Sequence, residues 1–502
     1  MTDHSTHARD PALSRKALDR LALHMQELRQ DVLARESELS DMLEGVHPGH
    51  RASARNLVQY LALRRHDVRA LQLRLARVGL SSLGRAESHV LITLDRILAM
   101  LALARGSEPP KLSPPPVGFR QGERILAGNA RRLLGVPAHR GVRIMVTLPT
   151  DAAEDPAFAR DLIGAGMSCA RINCARDDAA AWNAMAENVR AAENALGREC
   201  RILVDLGGPK LRTGAVAGGA KRLLLAPGDR FEIVHDDGVP ARDGSRPRIA
   251  CAAAEVFRCA RPDEPIWFDD GRVGGVIEDR TDDRLLVRVT NAKKDGSKLR
   301  PERGINLPET SLTLPALTQK DLHDLAHVVP WADSIELSFV QHASDVHAMH
   351  DALRAHDAAD VGVVLKIEKR SAFDNLPLLL LAAMQRRTFG VMIARGDLAV
   401  EAGFERMAEV QEEILWIAEA AHVPTIWATE VLDKLAKEGR LSRAEVTDAA
   451  MSARAEAVML NKGPFVIDAI GTLDDILGRM REHQSKKRSL LRALHVSHSL
   501  WS

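Results

Sequence analysis

The segment VGVVLKIEKRSAFDNLPLLLLAAMQRRTFGVMIARGDLAVE, residues 361–401, decides the fold class. It begins with a short valine-rich run, continues through an apolar helical pattern, and ends with a second short run rich in valine and isoleucine. A strand, a helix and a strand in this order are typical of a parallel β-sheet, because parallel strands need a long crossover. The first run ends with Lys366 and Glu368. The second ends with Arg395 and Asp397, so both strands deliver charge to one edge.

The same alternation of short apolar runs and helical patterns extends in both directions from this segment. The eight runs are RIMVTLP (143–149), ARINC (170–174), RILVDLG (201–207), SIELSFV (334–340), VGVVLKIE (361–368), TFGVMIARGD (388–397), PTIWATE (424–430) and AVMLNKG (457–463). Eight strand–helix units predict an α/β fold, a closed (β/α)8 TIM barrel.

One gap between strands, residues 215–310, is far too long for a crossover. It is rich in Gly and Asp and contains alternating patterns such as RLLVRVTNA, so we predict an inserted small all-β domain. Residues 141–475 number 335, and removing the 96 of the insert leaves 239. A barrel of this type needs about 250 residues. The barrel is therefore assigned to 141–214 and 311–483.

The remaining segments flank the barrel. Residues 1–105 show helical spacing of leucines, which predicts an N-terminal helical domain. Residues 106–140 begin with GSEPPKLSPPPVG and are predicted to be a Pro-rich linker and a lead-in helix. Residues 484–502 form a basic C-terminal tail.

The composition excludes several classes of protein. The chain has 502 residues, 45% hydrophobic, and a formal net charge of +1, which argues against a disordered chain and a whole-chain nucleic-acid or membrane binder. Its five cysteines show no CxxC pair, so neither a disulfide framework nor a zinc site is expected. No signal core or membrane-length apolar run is present, and a cytoplasmic location is expected.

Residues 51–77 are locally basic, with seven arginines against one aspartate. A nucleic-acid surface is one interpretation, but the segment lacks interleaved aromatic residues. A solvated helix face, or a contact between copies in a homo-oligomer, is favoured instead, and no nucleic-acid or membrane partner is predicted.

Polar side chains follow five of the strand runs. They are Arg171 and Asn173 in the second run, Asp205 in the third, Lys366 and Glu368 in the fifth, Arg395, Gly396 and Asp397 in the sixth, and Thr429 in the seventh. Strand residues two apart share a face, and the carboxyl ends of barrel strands meet at one mouth, where active sites lie.

Charge and donor type indicate the chemistry of this mouth. Glu368 and Asp397 offer carboxylate oxygens to a hard divalent cation such as Mg²⁺, which uses few protein ligands. Arg171 and Lys366 add fixed positive charge, which suits a phosphorylated anionic substrate. Thr429 adds a neutral donor.

The motifs of the barrel and its insert resemble those of pyruvate kinases. The matching segments are AGMSCARIN (165–173), VDLGGPKLRTG (204–214), IWFDDG (266–271), RGINLP (303–308), TQKDLHDL (318–325), SFVQHASDVH (338–347), LKIEKRSAFDN (365–375), VMIARGDLAVE (391–401), PTIWATEVLDKL (424–435) and RAEVTDAA (443–450). The resemblance covers about 141 to 475 and implies phosphoryl transfer from phosphoenolpyruvate to ADP, giving pyruvate and ATP in glycolysis.

The resemblance also implies residue roles. Lys366, Arg171 and Thr429 would be catalytic, the first two at the phosphoryl group and the third near the enolate carbon. The implied substrate-binding residues are Arg171, Asn173, Lys366, Arg395, Gly396, Asp397 and Thr429; the nucleotide-binding residues are Arg171, Arg176 and Arg303; the metal ligands are Glu368 and Asp397. The insert would be a lid over the nucleotide.

Several departures from the family pattern lie near the monovalent-cation region, which comprises Asn173, Asp205, Lys210 and Arg212. Typical members continue the second strand as Asn-Phe-Ser-His, whereas this chain reads Asn173, Cys174, Ala175, Arg176. Lys210 stands where potassium-dependent members carry Glu, so we expect Mg²⁺ (with Mn²⁺ as a substitute) and no K⁺ requirement.

Two alternatives stay open at this point. The changes at Ala175–Arg176 and at Asn461–Pro464 favour a related kinase that acts on another 2-oxo acid or nucleotide. The added N-terminal helices favour a catalytically weak regulatory or scaffold protein. Whichever function holds, a homo-oligomer is expected, and these helices are a candidate contact between its copies.

Overall fold

The fold of this chain, in a computed structural model, is a barrel with an inserted β domain and an N-terminal helical region. The structure describes residues 14–137, 140–235, 246–312, 314–481, 483–485 and 488–489. Apart from β17 (Gln484–Ser485) and β18 (Arg488–Ser489), the predicted basic tail lies outside the described residues.

Eight parallel strands close the barrel, which confirms the predicted fold class. They are β1 (Arg143–Thr147), β2 (Cys169–Asn173), β3 (Arg201–Asp205), β12 (Ser334–Leu337), β13 (Gly362–Ile367), β14 (Phe389–Ala394), β15 (Thr425–Ala428) and β16 (Ala457–Leu460). Each strand pairs with its neighbour in sequence, and β16 pairs with β1. β3 and β12 pair directly although the insert lies between them, so the insert leaves and re-enters the barrel at one end.

Helices surround the strands, as the right-handed crossover rule requires. They are α7 (Pro156–Ala165), α8 (Ala179–Leu196), α10 (Gln319–Val328), α11 (Ala343–Ala355), α12 (Arg370–Asp374), α13 (Leu376–Ala383), α14 (Arg395–Ala402), α15 (Met407–Ala420), α16 (Asp433–Glu438), α17 (Arg443–Met451) and α18 (Val466–Met480).

The insert folds as a β domain with its own hydrophobic core. Its elements are β4 (Leu223–Leu225), β5 (Arg230–His235), β6 (Arg248–Cys251), α9 (Ala254–Cys259), β7 (Pro265–Phe268), β8 (Val273–Arg280), β9 (Arg284–Asn291), β10 (Ser297–Leu299) and β11 (Ile305–Asn306). The two connections to the barrel pair with each other at Arg212 and Gly304, which places the insert over the strand ends.

One helix closes the bottom of the barrel, opposite the insert. The N-terminal helices are α1 (Arg15–Glu38), α2 (Ser40–Glu44), α3 (Arg51–Arg64), α4 (Arg69–Arg77), α5 (Val90–Ala104) and α6 (Gln121–Leu134). Leu133 and Leu134 of α6 are fully buried among barrel-interior side chains. A Cβ atom built on Gly390 would lie 2.4 Å from Leu133 Cδ2, so only glycine leaves room for this plug.

A buried polar interface joins the N-terminal helices to the outside of the barrel. The Asn56 side-chain amide donates to the carbonyl oxygens of Glu87, at 2.7 Å, and Ala420, at 2.8 Å. His422 is fully buried, with Nδ1 at 2.9 Å from Ser53 Oγ and Nε2 at 3.0 Å from the Ser88 carbonyl oxygen. The helices are therefore fixed to the end of α15, immediately before β15.

Across the described ranges, no helix combines the length and apolar character needed to cross a membrane.

Candidate active site

A polar cavity of about 220 Å³, called the mouth cavity below, lies at the carboxyl ends of the barrel strands. Predicted site residues supply much of its lining: Arg171, Asn173, Asp205, Lys210, Arg212, Lys366, Glu368, Asp397 and Thr429. Ser338 and Asn461 also line it. The topology thus brings together side chains that lie up to about 290 positions apart, as expected for the mouth of a parallel barrel.

Arg171, in the middle of β2, is held by side chains of three other strands. Its Nε donates to Glu336 Oε2 at 2.8 Å and one terminal nitrogen donates to Thr147 Oγ1 at 3.0 Å. The other terminal nitrogen donates to the Asp205 carboxylate. Burial disfavours the charged guanidinium, but Asp205 and Glu336 outweigh it and raise the pKa of Arg171. This site therefore carries a fixed, permanent positive charge.

Lys366, on β13, lies at the centre of a second charged group. Its Nζ is 2.7 Å from both Asp205 Oδ1 and Ser338 Oγ, and 3.0 Å from Glu368 Oε1. Burial would lower the pKa of Lys366, whereas the adjacent carboxylates of Asp205 and Glu368 raise it above its usual range. The ammonium is charged at neutral pH and is aimed into the mouth cavity.

The buried carboxylates differ in their electrostatic state. Burial opposes ionisation of Asp205, but Arg171 and Lys366 lower the pKa of this carboxyl below its usual value. Burial raises the pKa of both Glu336 and Glu368. Glu336 Oε1 has no hydrogen-bond partner within the described part of the chain. Asp205 is thus the firm anion that holds both cations in place.

The donor chemistry of Glu368 and Asp397 fits a hard divalent cation. Both line the mouth cavity, and the charge of Asp397 contributes to the raised pKa of Glu368, as expected of neighbouring carboxylates. Among the described residues, no group of three or more His, Cys, Asp or Glu side chains could cage a metal. Mg²⁺ suits this arrangement, because it binds through one or two carboxylates together with substrate phosphates and waters.

Lys210, on the connection into the insert, pairs with Asp397. Its Nζ lies 3.0 and 2.9 Å from the two carboxylate oxygens and 5.8 Å from the centroid of the Phe339 ring. The oxygens of Asp205 are instead bound by Arg171 and Lys366. The Lys210 ammonium therefore lies on the Asp397 side of the cavity.

Thr429 has a strained backbone. Its φ of 67° is unusual for a β-branched residue, and strain of this kind costs on the order of 1–3 kcal/mol. Its buried Oγ1 has no hydrogen-bond partner in the described structure. The nearest side-chain atom to a Cβ built on Gly396 would be Thr429 Cγ2, at 3.6 Å. Thr429 thus lines the cavity and carries a buried hydroxyl that no described group binds.

Comparison with known proteins decides the family. A family model described as pyruvate kinase, barrel domain, matches residues 139–465, well over half of the chain. The chain belongs to the pyruvate kinase family. This confirms the family and the kinase class predicted from the motifs, and the N-terminal helices precede the matched region.

Individual members of the pyruvate kinase family show the same extent of similarity. A pyruvate kinase of Bacillus licheniformis is 31% identical over 369 residues, which cover 72% of this chain and 61% of the relative. One from Mycobacterium tuberculosis (strain H37Rv) is 32% identical over 350 residues, 68% of this chain and 71% of the relative. One from Methylorubrum extorquens is 33% identical over 344 residues, 67% and 68%. The chain therefore spans about three fifths to seven tenths of these pyruvate kinases.

Four residues that the pyruvate kinase resemblance placed in the site are not among the residues lining the mouth cavity. Arg395 donates to the Ala428 carbonyl oxygen at 2.9 Å and pairs with Asp448, so it braces the β14–β15 end from behind. Gly396 lies behind Thr429. The other two are Arg176, which is exposed, and Arg303, which lies at the base of the insert.

Sequence reasoning missed three residues that position the predicted ones: Thr147, Glu336 and Ser338. Glu336 is fully buried in β12. A charged residue inside the apolar run SIELSFV, in register with Ser338 two positions later, was the available signal. The Lys366–Glu368 pair was recognised by that same spacing.

Proposed function

We propose that this chain transfers the phosphoryl group of phosphoenolpyruvate to ADP and releases pyruvate and ATP. The observation that carries the proposal is the placement of Lys366 and Arg171 beside the Glu368–Asp397 carboxylate pair in one cavity. Phosphoryl transfer depends mainly on positioning and on stabilising charge that spreads over the transferring oxygens. Two fixed cations beside a divalent-cation site meet that need.

The charge balance of the mouth cavity supports an anionic, metal-assisted substrate. Four cations line it, Arg171, Lys210, Arg212 and Lys366, against Asp205, Glu368 and Asp397, with Glu336 behind Arg171. The formal balance is zero. Mg²⁺, held by Glu368 and Asp397, would supply the positive charge that draws in a phosphorylated carboxylate.

The chain's own residues account for the separate steps. Arg171 and Lys366 bind the phosphoryl oxygens while the bond from phosphorus to the enol oxygen breaks and a bond to a β-phosphate oxygen of ADP forms. The enolate left behind takes a proton at its terminal carbon and becomes pyruvate. The unpaired Thr429 hydroxyl is positioned to assist that protonation.

A larger cavity in the insert, about 830 Å³ and called the lid cavity, supports nucleotide binding. Its charged lining is Asp269 and the cations Arg272, Lys293, Lys298, Arg300 and Arg303. The adjoining turn approaches the barrel, because a Cβ on Gly271 would lie 3.2 Å from the Phe404 ring. This excess of cations suits the polyphosphate of ADP, and closure of the insert would exclude water.

The finer family features follow as part of the same proposal. We propose that Mg²⁺ is required, that Mn²⁺ substitutes, and that K⁺ is not required because the Lys210 ammonium already supplies a monovalent positive charge. The setting is glycolysis in the cytoplasm, and the protein is a homo-oligomer. No nucleic-acid or membrane partner is proposed.

The direct test is a coupled lactate dehydrogenase assay with phosphoenolpyruvate, ADP and Mg²⁺, in matched Na⁺ and K⁺ buffers. Lys366→Met should reduce kcat on the order of 10²–10³-fold, since it removes one charged donor to the developing anion. Lys16→Met, at an exposed lysine of α1 outside the cavity, is the matched control and should retain the turnover. An unchanged rate in Lys366→Met would overturn the site assignment.

The role of Lys210 has its own arm in that assay. Lys210→Glu should weaken turnover in Na⁺ and make it respond to K⁺. K⁺ dependence of the unmodified protein would overturn this part of the proposal while leaving the phosphoryl transfer intact.

A second candidate is phosphoryl transfer with another nucleotide or another 2-oxo acid. It is favoured by Ala175 and Asn461, which line the mouth cavity where family members typically present other side chains. Replacing ADP by GDP, UDP and CDP, and assaying the reverse reaction on a set of 2-oxo acids, separates the two candidates. Activity with none of them would favour a regulatory or scaffold role.

A further inference from the structure

A third cavity, of about 310 Å³, lies in the N-terminal helical region, well outside the mouth cavity. One stripe of α5 forms its main wall through Thr93, Arg96, Ile97 and Met100, which follow the three-and-four spacing of a helix face. The opposite side comes from the 80–85 loop and from the residues that follow the Pro-rich segment. We call it the helical cavity.

The inner part of the helical cavity is apolar, and its few buried polar groups are satisfied. Ile97 and Leu80 supply aliphatic surface there, and Met100 lies at the exposed opening. The His89 ring packs edge-on against Phe119, with centroids 4.8 Å apart, and its Nδ1 is 2.9 Å from Thr93 Oγ1. This wall suits an aromatic or branched aliphatic body.

Two arginines supply charge at the opening. Arg85 and Arg96 are both exposed and both line the cavity. Neither forms a hydrogen bond or ion pair with any residue in the described ranges. No Asp or Glu lines the cavity. Two guanidinium groups above an apolar floor therefore face solvent with no internal anion to neutralise them.

We propose that the helical cavity binds a small amphipathic organic acid, with its carboxylate or phosphate between Arg85 and Arg96 and its apolar body against Ile97 and Phe119. The volume lies at the low end for small-molecule sites, and an apolar lining with a few placed charges is their usual character. Charge-assisted bonds from arginine to such oxyanions are among the stronger ones.

Occupation of this cavity would stabilise the junction between the helices and the barrel. His89 adjoins Ser88, whose carbonyl oxygen is 3.0 Å from His422 Nε2. A Cβ on Gly122 of α6 would lie 2.4 Å from that same carbonyl oxygen, so α6 is packed tightly against the junction. A ligand that fixes His89 and Phe119 therefore strengthens the contact that holds α6 under the barrel.

The test uses para-(trifluoromethyl)benzoate as the probe. Its binding to the full chain is measured by fluorine NMR titration. The probe should bind, its neutral counterpart para-(trifluoromethyl)benzyl alcohol should bind at least roughly tenfold more weakly, and saturating probe should raise the thermal midpoint. Arg85→Gln/Arg96→Gln should weaken probe binding roughly tenfold or more. Met100→Trp, which fills the opening at an exposed position, should abolish probe binding.

The control is Arg20→Gln/Arg77→Gln, which removes two exposed arginines of α1 and α4 and should bind the probe normally. An excess of phosphoenolpyruvate should not displace the probe, which separates this site from the mouth cavity. Failure of the unmodified protein to bind, equal loss in both double variants, or displacement by phosphoenolpyruvate would each overturn the proposal. A protein inactive in the coupled assay that still binds the probe would leave it standing.

Discussion

The plug that α6 inserts into the bottom of the barrel makes a sharp prediction about stability. Leu133 is fully buried, and its two methyl groups pack on strand backbone at Gly362 and Gly390. Leu133→Ala leaves a cavity that the closed ring of strands cannot collapse to fill. Such substitutions cost about 2–5 kcal/mol, and the rigid surroundings place this one in the upper half of that range.

The converse substitution should be destabilising for the opposite reason. Gly390→Ala puts a methyl group 2.4 Å from Leu133 Cδ2 and 3.0 Å from the Pro424 carbonyl oxygen. Overpacking of this kind costs about 1–3 kcal/mol. In the double variant Leu133→Ala/Gly390→Ala the new methyl group occupies part of the vacated space. The unfolding free energies lost in the two single variants should therefore add up to at least about 1 kcal/mol more than the free energy lost in the double variant.

Urea unfolding followed by far-UV circular dichroism measures all four corners of this cycle. For a cooperative unit of this size, a loss of about 3.5–5 kcal/mol also lowers the thermal midpoint by roughly 7–20 °C. The control is Leu23→Ala, at a side chain that is 56% exposed, which should stay within about 0.5 kcal/mol of the unmodified protein. Strict additivity, or a Leu133→Ala loss below about 1 kcal/mol, would refute the plug.

Three further predictions concern ionisable groups. Burial lowers the pKa of His422 to about 4 from an ordinary 6.5, so the unfolded chain takes up the proton first as pH falls. The free energy of unfolding should fall by about 3 kcal/mol as the pH is lowered from 6.5 to about 4. In His422→Gln the urea midpoint should depend less on pH over this range. The same pH dependence in the variant and the unmodified protein would contradict this. Burial raises the pKa of the Cys169 thiol to about 12. Alkylation of the folded protein at mildly alkaline pH should therefore modify the half-buried Cys259 and leave Cys169 unmodified, which peptide mass spectrometry measures. Glu336→Gln should keep or raise the urea midpoint, because it removes an anion that burial disfavours. Arg171→Met should cost about 3–5 kcal/mol of unfolding free energy, because it leaves buried carboxylates unpaired. A larger loss of stability in Glu336→Gln than in Arg171→Met would contradict this pairing.

The strands of the barrel could be predicted from sequence because each one is short, apolar and bounded by helical patterns. VGVVLKIE and TFGVMIARGD correspond to β13 and β14 within a few residues. The position of α6 could not be predicted in this way. Its amphipathic pattern indicates a buried face, but a pattern does not reveal which surface covers that face, and here it is the barrel interior around Leu133.

The site divides along the same line. Spacing alone identified Lys366 and Glu368 as neighbours, because residues two apart on a strand share a face. The spacing of residues along the chain did not predict contacts between distant elements. Arg395 turns away to Asp448 of α17, and Lys210 reaches Asp397 across 187 positions of sequence. Such pairings depend on how helices pack after the strands have formed.

The Asn56–Ala420 contact also constrains the order in which the chain can fold during synthesis. Its partners are 364 positions apart, so the first helices leave the ribosome long before their docking surface exists. At about 5–20 residues per second, that interval is roughly 20–70 seconds. During this interval the polar face of α3 has no partner from the barrel. The leucines of α6 are likewise exposed until the barrel strands form around them. The N-terminal helices therefore spend this interval without the barrel surface that covers them in the folded chain.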